Sequence, residues 1–277
     1  KEPGQHKAIV VSAMSKVTDA LIELVHLASS RQDSYLEKLE TLKQRHLDTI
    51  DRLLSGASTS ASVSANINVV ANTSTSALTL AKDLKSKVMA DFEDIKEILR
   101  GLWLVQSASM PATELVSGYG EIWSAQFLNA YLNSLGQSST WLDARQVLVV
   151  EPGETSVVVD WESSQKKMNQ WLQEHSHLQR IVITGFIAST KDGIPTTLKR
   201  NGSDFSASIF GALLDSEHIT IWTDVDGVLS ADPRLVPEAV VLEDMSYSEA
   251  TELAYFGAKV VHPSTMAPAI QRQIPIW

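Results

Sequence analysis

A chain of 277 residues, 44% hydrophobic and 20% charged, has room for one large α/β domain or two small ones and reads as an ordinary globular protein. The formal charge of −10 argues against a nucleic-acid partner, since no basic face offsets it, and the absence of cysteine excludes disulfides, thiolate zinc sites and cysteine nucleophiles. No run approaches the ~20 apolar residues that span a bilayer. The opening Lys1-Glu2-Pro3-Gly4-Gln5-His6-Lys7 lacks the apolar core of a signal peptide. Both ends read as cuts through structure, which gives the expectation of a piece of a longer polypeptide.

In chain order, Lys7 to Ala13 is a short apolar run of the kind that forms a buried parallel strand. Val17, Leu21, Leu24, Val25 and Ala28 then recur at helical spacing, and Tyr35, Leu39, Leu42, His46 and Leu53 continue as a second, more charged helix. From Ser55 to Thr79 the chain is rich in Ser, Thr, Ala and Asn and nearly uncharged. This stretch reads as a flexible insertion without catalytic role, either a surface loop or a frayed helical hairpin.

Helical periodicity returns over Ala81–Leu104, and another helix is expected near Glu121–Leu135. Strands are expected at Ser139–Leu142, Val147–Val150, Val157–Val159, Arg180–Thr184 and His218–Trp222. Helices are expected at Ser163–Gln173, after Gly202, and over Tyr247–Ala254. Such alternation predicts an α/β fold with a mostly parallel sheet covered on both faces.

The loops carry the chemistry. Ser12-Ala13-Met14-Ser15-Lys16-Val17-Thr18-Asp19 follows the first strand, where ligands bind in open α/β sheets, and its hydroxyls suit a carboxylate or phosphate. Taken alone it is equally a turn and helix cap. Gly118-Tyr119-Gly120-Glu121 opens a helix. Its glycines would let backbone approach a ligand while Glu121 accepts an ammonium, although a glutamate in a first helical turn is stabilised there without any function.

In Lys199-Arg200-Asn201-Gly202-Ser203-Asp204, Gly202 permits a tight turn and Ser203 is a good N-cap. Arg200 could hold a carboxylate bidentately, and Asp204 an ammonium. Thr223-Asp224-Val225-Asp226-Gly227, with Asp232-Pro233-Arg234 beyond it, could meet a nucleotide, Arg234 neutralising phosphate. This loop lacks the ligand spacing of an EF-hand. It resembles the first motif of the haloacid dehalogenase phosphatases, in which Asp224 would be the nucleophile, but too little chain follows for the rest of that domain. Lys259, in Tyr255-Phe256-Gly257-Ala258-Lys259, could reach phosphate, though most lysines simply lie on the surface.

Each loop is weak alone; their order is specific. Val10 to Asp19, Gly118 to Ala125, Thr184 to Ala188, Pro195 to Ser206, Ile221 to Arg234 and Ser246 to Pro263 together resemble the aspartate kinase module of plant-type bifunctional aspartokinase/homoserine dehydrogenases. The resemblance covers nearly all of the chain outside the Ser/Thr-rich stretch. It implies the amino-acid kinase fold, a three-layer α/β/α sandwich over residues 1–277, and transfer of the γ-phosphoryl of Mg2+-bound ATP to the side-chain carboxylate of L-aspartate. By motif, Ser12, Thr18, Glu121, Phe186, Arg200 and Ser203 would hold aspartate. Arg200 and Asp204 would serve catalysis, and Thr223, Asp224, Arg234 and Lys259 would face ATP. No side chain is assigned to a metal.

The resemblance further implies a homo-oligomer, regulatory ACT and homoserine dehydrogenase modules in the parent chain, and a plastid location for a plant-type parent or a cytoplasmic one otherwise; charge and hydropathy give neither nucleic acid nor membrane as partner. It also implies a first strand and a Lys-Phe-Gly-Gly-Thr-type loop, for which nothing before Ala8 has the pattern. A catalytically incomplete piece that only binds ligand or partner subunits is therefore the second reading.

Overall fold

The computed structural model describes residues 7–60, 67–153, 156–177, 179–199, 202–222, 227–231, 236–255 and 263–277. The chain divides into two units, Lys1–Thr197 and Leu198–Trp277. In the first, β1 (Lys7–Val11) is followed by five helices, α1 (Val17–Ser29), α2 (Ser34–Ser60), α3 (Ile67–Val105), α4 (Met110–Ser117) and α5 (Tyr119–Ser134). Then come β2 (Thr140–Leu142), a 3-10 turn at Ala144–Gln146, β3 (Val150–Pro152), β4 (Val157–Val159), α6 (Trp161–Glu174), β5 (Arg180–Thr184), β6 (Ile187–Ser189) and β7 (Pro195–Thr197). The second unit holds α7 (Gly202–Leu213), α8 (Tyr247–Tyr255) and α9 (Pro263–Arg272).

The central sheet of the first unit is parallel, in the order β1-β5-β2, with Ile9 and Trp141 both aligned to Val182. β5 has neighbours on both sides, and all its residues after Arg180 are buried. Contrary to the expectation of a buried strand, β1 lies at the sheet edge among the described residues, with Lys7 and Ala8 exposed and Ile9 to Val11 half-buried. An apolar run fixes the strand but not its place in the sheet.

Two antiparallel ladders, β3 with β4 and β6 with β7, complete the strands among the described residues. The expected strand at Val147–Val150 is corrected. That run is buried, but it leaves the 3-10 turn and meets Ser189 only in an isolated bridge at Val149, with Ser189 N–H donating to Leu148 O at 3.0 Å, before β3 begins at Val150. Likewise His218–Trp222 forms only a short parallel bridge, in which Ile219 N–H donates to Pro275 O at 2.9 Å and Ile221 N–H to Trp277 O at 2.8 Å. The helix α9 was not expected; it starts on Pro263, whose fixed φ suits a first helical position.

A helical layer of α1, α2, α3 and α5 is built on the periodicity read from sequence. Val17, Leu21, Leu24, Ile50, Val88, Phe92, Ile95, Leu99 and Trp123 are buried in one cluster. The Ser/Thr-rich stretch is largely helical: α2 runs on to Ser60 and α3 starts at Ile67, leaving 61–66 outside the described residues. Weak helix formers extend helices whose packed turns are stabilised elsewhere, as where Phe92 and Ile50 enter the core.

His46 sits at the centre of this layer, fully buried, its Nδ1 2.7 Å from Leu42 O and its Nε2 without a partner among the described residues. Its ring meets Trp123 edge-on at 4.5 Å, with Phe92 and Phe127 at 5.6 and 6.0 Å. Burial lowers its pKa from the ordinary 6.5 to about 4, so the ring is neutral.

Candidate substrate site

Parallel β1 and β5 deliver their following loops to one edge of the sheet, and Gly185 N–H donates to Val11 O at 2.8 Å to hold the two exits together. After β1, Val17 N–H bonds Met14 O at 3.0 Å, and Lys16 occupies the left-handed region (φ 64) without a side-chain cap. After β5, Phe186 is also left-handed (φ 63), and Ile187 N–H closes a tight turn onto Gly185 O at 2.6 Å. Residues in this region without glycine's freedom cost on the order of 1 kcal/mol and cluster at functional sites.

The start of α5 reaches both loops because it carries two glycines. A Cβ on Gly120 would lie 2.7 Å from Ala13 Cβ and 3.0 Å from Val17 Cγ1, and one on Gly118 would lie 2.8 Å from Ile187 Cγ2. Glu121 follows at once. Its side chain is buried, Oε1 accepts from Ala13 N–H at 3.4 Å, and Oε2 has no partner among the described residues. Burial raises its pKa from the ordinary 4.5 to about 7, partly opposed by backbone N–H bonds from its own residue and Ala13. A glutamate placed only to answer the helix dipole would stay solvated; this one is withdrawn from water with an acceptor left over.

Ser12, Thr18, Glu121 and Phe186 all belong to the first unit. Ser12 is exposed in the β1–α1 loop and Thr18 is half-buried in the first turn of α1, on either side of Ala13, the residue of this segment whose N–H meets Glu121. In the second unit Ser203 and Asp204 are half-buried in the first turn of α7. The helix begins on Gly202, so Ser203 lies inside it and is not the N-cap expected from sequence. Burial raises the pKa of Asp204. Arg200, Thr223, Asp224, Arg234 and Lys259 lie outside the described residues. Among the described residues no group of three or more His, Asp or Glu side chains is placed to hold a metal ion, and no helix is long and apolar enough to cross a membrane.

Two site elements escaped the sequence reading: the backbone N–H of Ala13, and Gly120 as the point of contact with the β1–α1 loop. The doubled glycine before Glu121 was the only signal for either.

The sequence matches the model of the amino acid kinase family over residues 1–277. The chain belongs to the amino acid kinase family. Within this family it is 45% identical over 277 residues to the chloroplastic bifunctional aspartokinase/homoserine dehydrogenase 1 of Arabidopsis thaliana. It is 43% identical over the same length to the Zea mays protein of that name. All of the chain, but only 28% of either relative, is covered. Escherichia coli aspartokinase III, solved with aspartate and ADP and also with lysine and aspartate, superposes with a TM-score of 0.78 at 26% identity. That match spans 98% of this chain and 54% of the other. The amino-acid kinase α/β fold expected from sequence is therefore the fold observed.

Proposed function

We propose that this amino acid kinase module transfers the γ-phosphoryl group of ATP to the side-chain carboxylate of L-aspartate, giving ADP and 4-phospho-L-aspartate. The observation that carries the reading is Glu121, a buried carboxylate with one oxygen unpartnered among the described residues, set among loops at the carboxyl edge of a parallel sheet. An ammonium is the group that both satisfies Oε2 and offsets the burial of the charge. The names of its relatives, and aspartokinase III solved with aspartate and ADP, support aspartate as the owner of that ammonium.

In this reading Glu121 accepts from the α-ammonium beside Ser12, Thr18 and Phe186 of the same unit; by the motif resemblance Ser203 would also serve aspartate, and Arg200 a carboxylate. The side-chain carboxylate of aspartate is already ionised, so it attacks the γ-phosphorus without a general base. The bond to the bridging oxygen breaks and ADP leaves with the electron pair. Little covalent work falls to the protein, whose task is positioning and neutralising charge. Asp204 orders the reacting end; Thr223, Asp224, Arg234 and Lys259 face the nucleotide. Mg2+ bound to the ATP phosphates would offset part of their charge. The parent chain is proposed to be a plastid homo-oligomer carrying regulatory ACT and homoserine dehydrogenase modules.

The test is turnover of Mg-ATP and L-aspartate by the full-length protein, with hydroxylamine trapping the acyl phosphate. Acyl hydroxamate should form only with aspartate present and fall by about 100-fold or more in Arg200→Ala and Asp204→Ala. A folded full-length protein that binds aspartate yet gives no hydroxamate would sink the kinase reading in favour of ligand binding alone. Hydrolysis of phosphate esters that dies in Asp224→Asn, without any need for aspartate, would instead favour the phosphatase.

A further inference from the structure

We infer that Arg45, on α2 and outside every motif of the site, is a positioning residue that holds the β1–α1 loop in the shape that receives the substrate. The inference rests on the substrate reading above. Arg45 Nη2 donates to Ser15 O at 3.0 Å. Two residues earlier, Ala13 N–H donates to Glu121 Oε1 at 3.4 Å. The loop between Ser12 and Thr18 is thus held by two distant side chains of opposite charge, one on an N–H and one on a carbonyl.

Such a grip is needed here because Lys16, next to Ser15, stays left-handed without glycine and without a capping side chain. A loop with a strained residue and no local cap relaxes unless something outside it fixes the neighbouring peptide. Arg45 is well placed to do so because the next residue, His46, is fully buried against Trp123, Phe92 and Phe127. That wedge sets the rotation of α2. Trp123 also lies on α5 two residues beyond Glu121, so α2 is registered against the helix that supplies the other hold on the loop.

Loss of the guanidinium frees the Ser15 carbonyl and lets Lys16 leave its conformation, which misaligns Ser12 and Thr18 while the remaining site is untouched. In the full-length protein, Arg45→Ala should raise the KM for aspartate about 5–10-fold, the worth of one charge-assisted hydrogen bond. Both kcat and the KM for ATP should stay within about twofold. Arg45→Lys, which can still donate to a carbonyl, should recover most of the loss, and the melting temperature of both variants should match the wild type.

An unchanged aspartate KM in Arg45→Ala would overturn the inference. So would a parallel fall in kcat, both KM values and melting temperature, which is the mark of a general structural role, and so would a lysine variant no better than alanine. Absence of aspartate turnover in the wild type would overturn the function itself, and this inference with it. Wild-type turnover with an indifferent Arg45 would overturn only the latter.

Discussion

At the scale of single residues, Glu121 links the site to pH. Its ordinary pKa of 4.5 is raised to about 7, chiefly because the carboxylate is buried. Only the ionised form can accept an ammonium, so the proton must leave before aspartate binds. The KM for aspartate is therefore expected to fall about tenfold per unit up to about pH 6, about fivefold more between pH 6 and 7, and to level off by about pH 8. Glu121→Gln keeps the shape, removes the titration and should give a high, pH-independent KM. A pH series of initial rates in wild type and variant measures both, and a wild-type KM flat across this range would separate Glu121 from substrate binding. Phe186 is a different kind of signal. Its left-handed backbone is a cost to folding, and its place directly after β5 makes the cost intelligible as part of the site.

At the scale of elements, the site depends on how closely α5 approaches the β1–α1 loop. Gly120→Ala would set a methyl group 2.7 Å from Ala13 Cβ and 3.0 Å from Val17 Cγ1, neither of them the end of a long, yielding side chain. Overpacking of this kind costs about 1–3 kcal/mol, and relief by moving α5 outward would withdraw Glu121 from Ala13. The expected result is a lower urea midpoint together with a higher KM for aspartate. Gly101→Ala in α3 is the control: a Cβ there meets nothing within 4 Å, so it should stabilise by roughly 0.5–1 kcal/mol and leave kinetics alone. An equally harmless Gly120→Ala would show that the close approach is not required.

At the scale of the molecule, two buried titratable groups of the first unit pull stability in opposite directions with pH. Glu121 has a raised folded pKa, so its contribution is full below pH 4.5 and is lost as the pH rises through about 7. His46 has a depressed one, so its contribution is full above 6.5 and is lost as the pH falls through about 4. Between 4.5 and 6.5 the unfolded chain binds one proton more at His46 and one fewer at Glu121, and the slopes cancel. Each slope alone is about 1.4 kcal/mol per pH unit. In urea unfolding over this window, His46→Leu should become less stable as pH rises and Glu121→Gln more stable. Parallel profiles in all three proteins would refute the compensation.

Local signals in the sequence determined a good deal. Val17, Leu21 and Leu24 on one face of α1, and Leu84, Val88, Phe92, Ile95 and Leu99 along α3, gave the helical layer, because burial of one helical face leaves a period in the chain. The runs at Arg180–Thr184 and Val157–Val159 gave β5 and β4 to the residue. The ordered motifs from Ser12 to Lys259 gave the family, since the matches are written in residue identity.

Tertiary structure alone decided the rest, because it depends on partners far along the chain. The place of β1 in the sheet depends on its pairing with β5, about 170 residues on, which leaves it at the edge among the described residues. The bridge of Ile219 to Ile276 waits on the C-terminal residues. Above all, Glu121 taken alone reads as an ordinary first-turn acid, and only the motif resemblance marks it for the substrate. Its burial, its unpartnered oxygen and its hold on Ala13 arise only when two glycines bring α5 onto a loop more than one hundred residues earlier. Periodicity reports what a residue does for its own element. Burial of charge reports what distant elements do to the residue, and no local pattern encodes it.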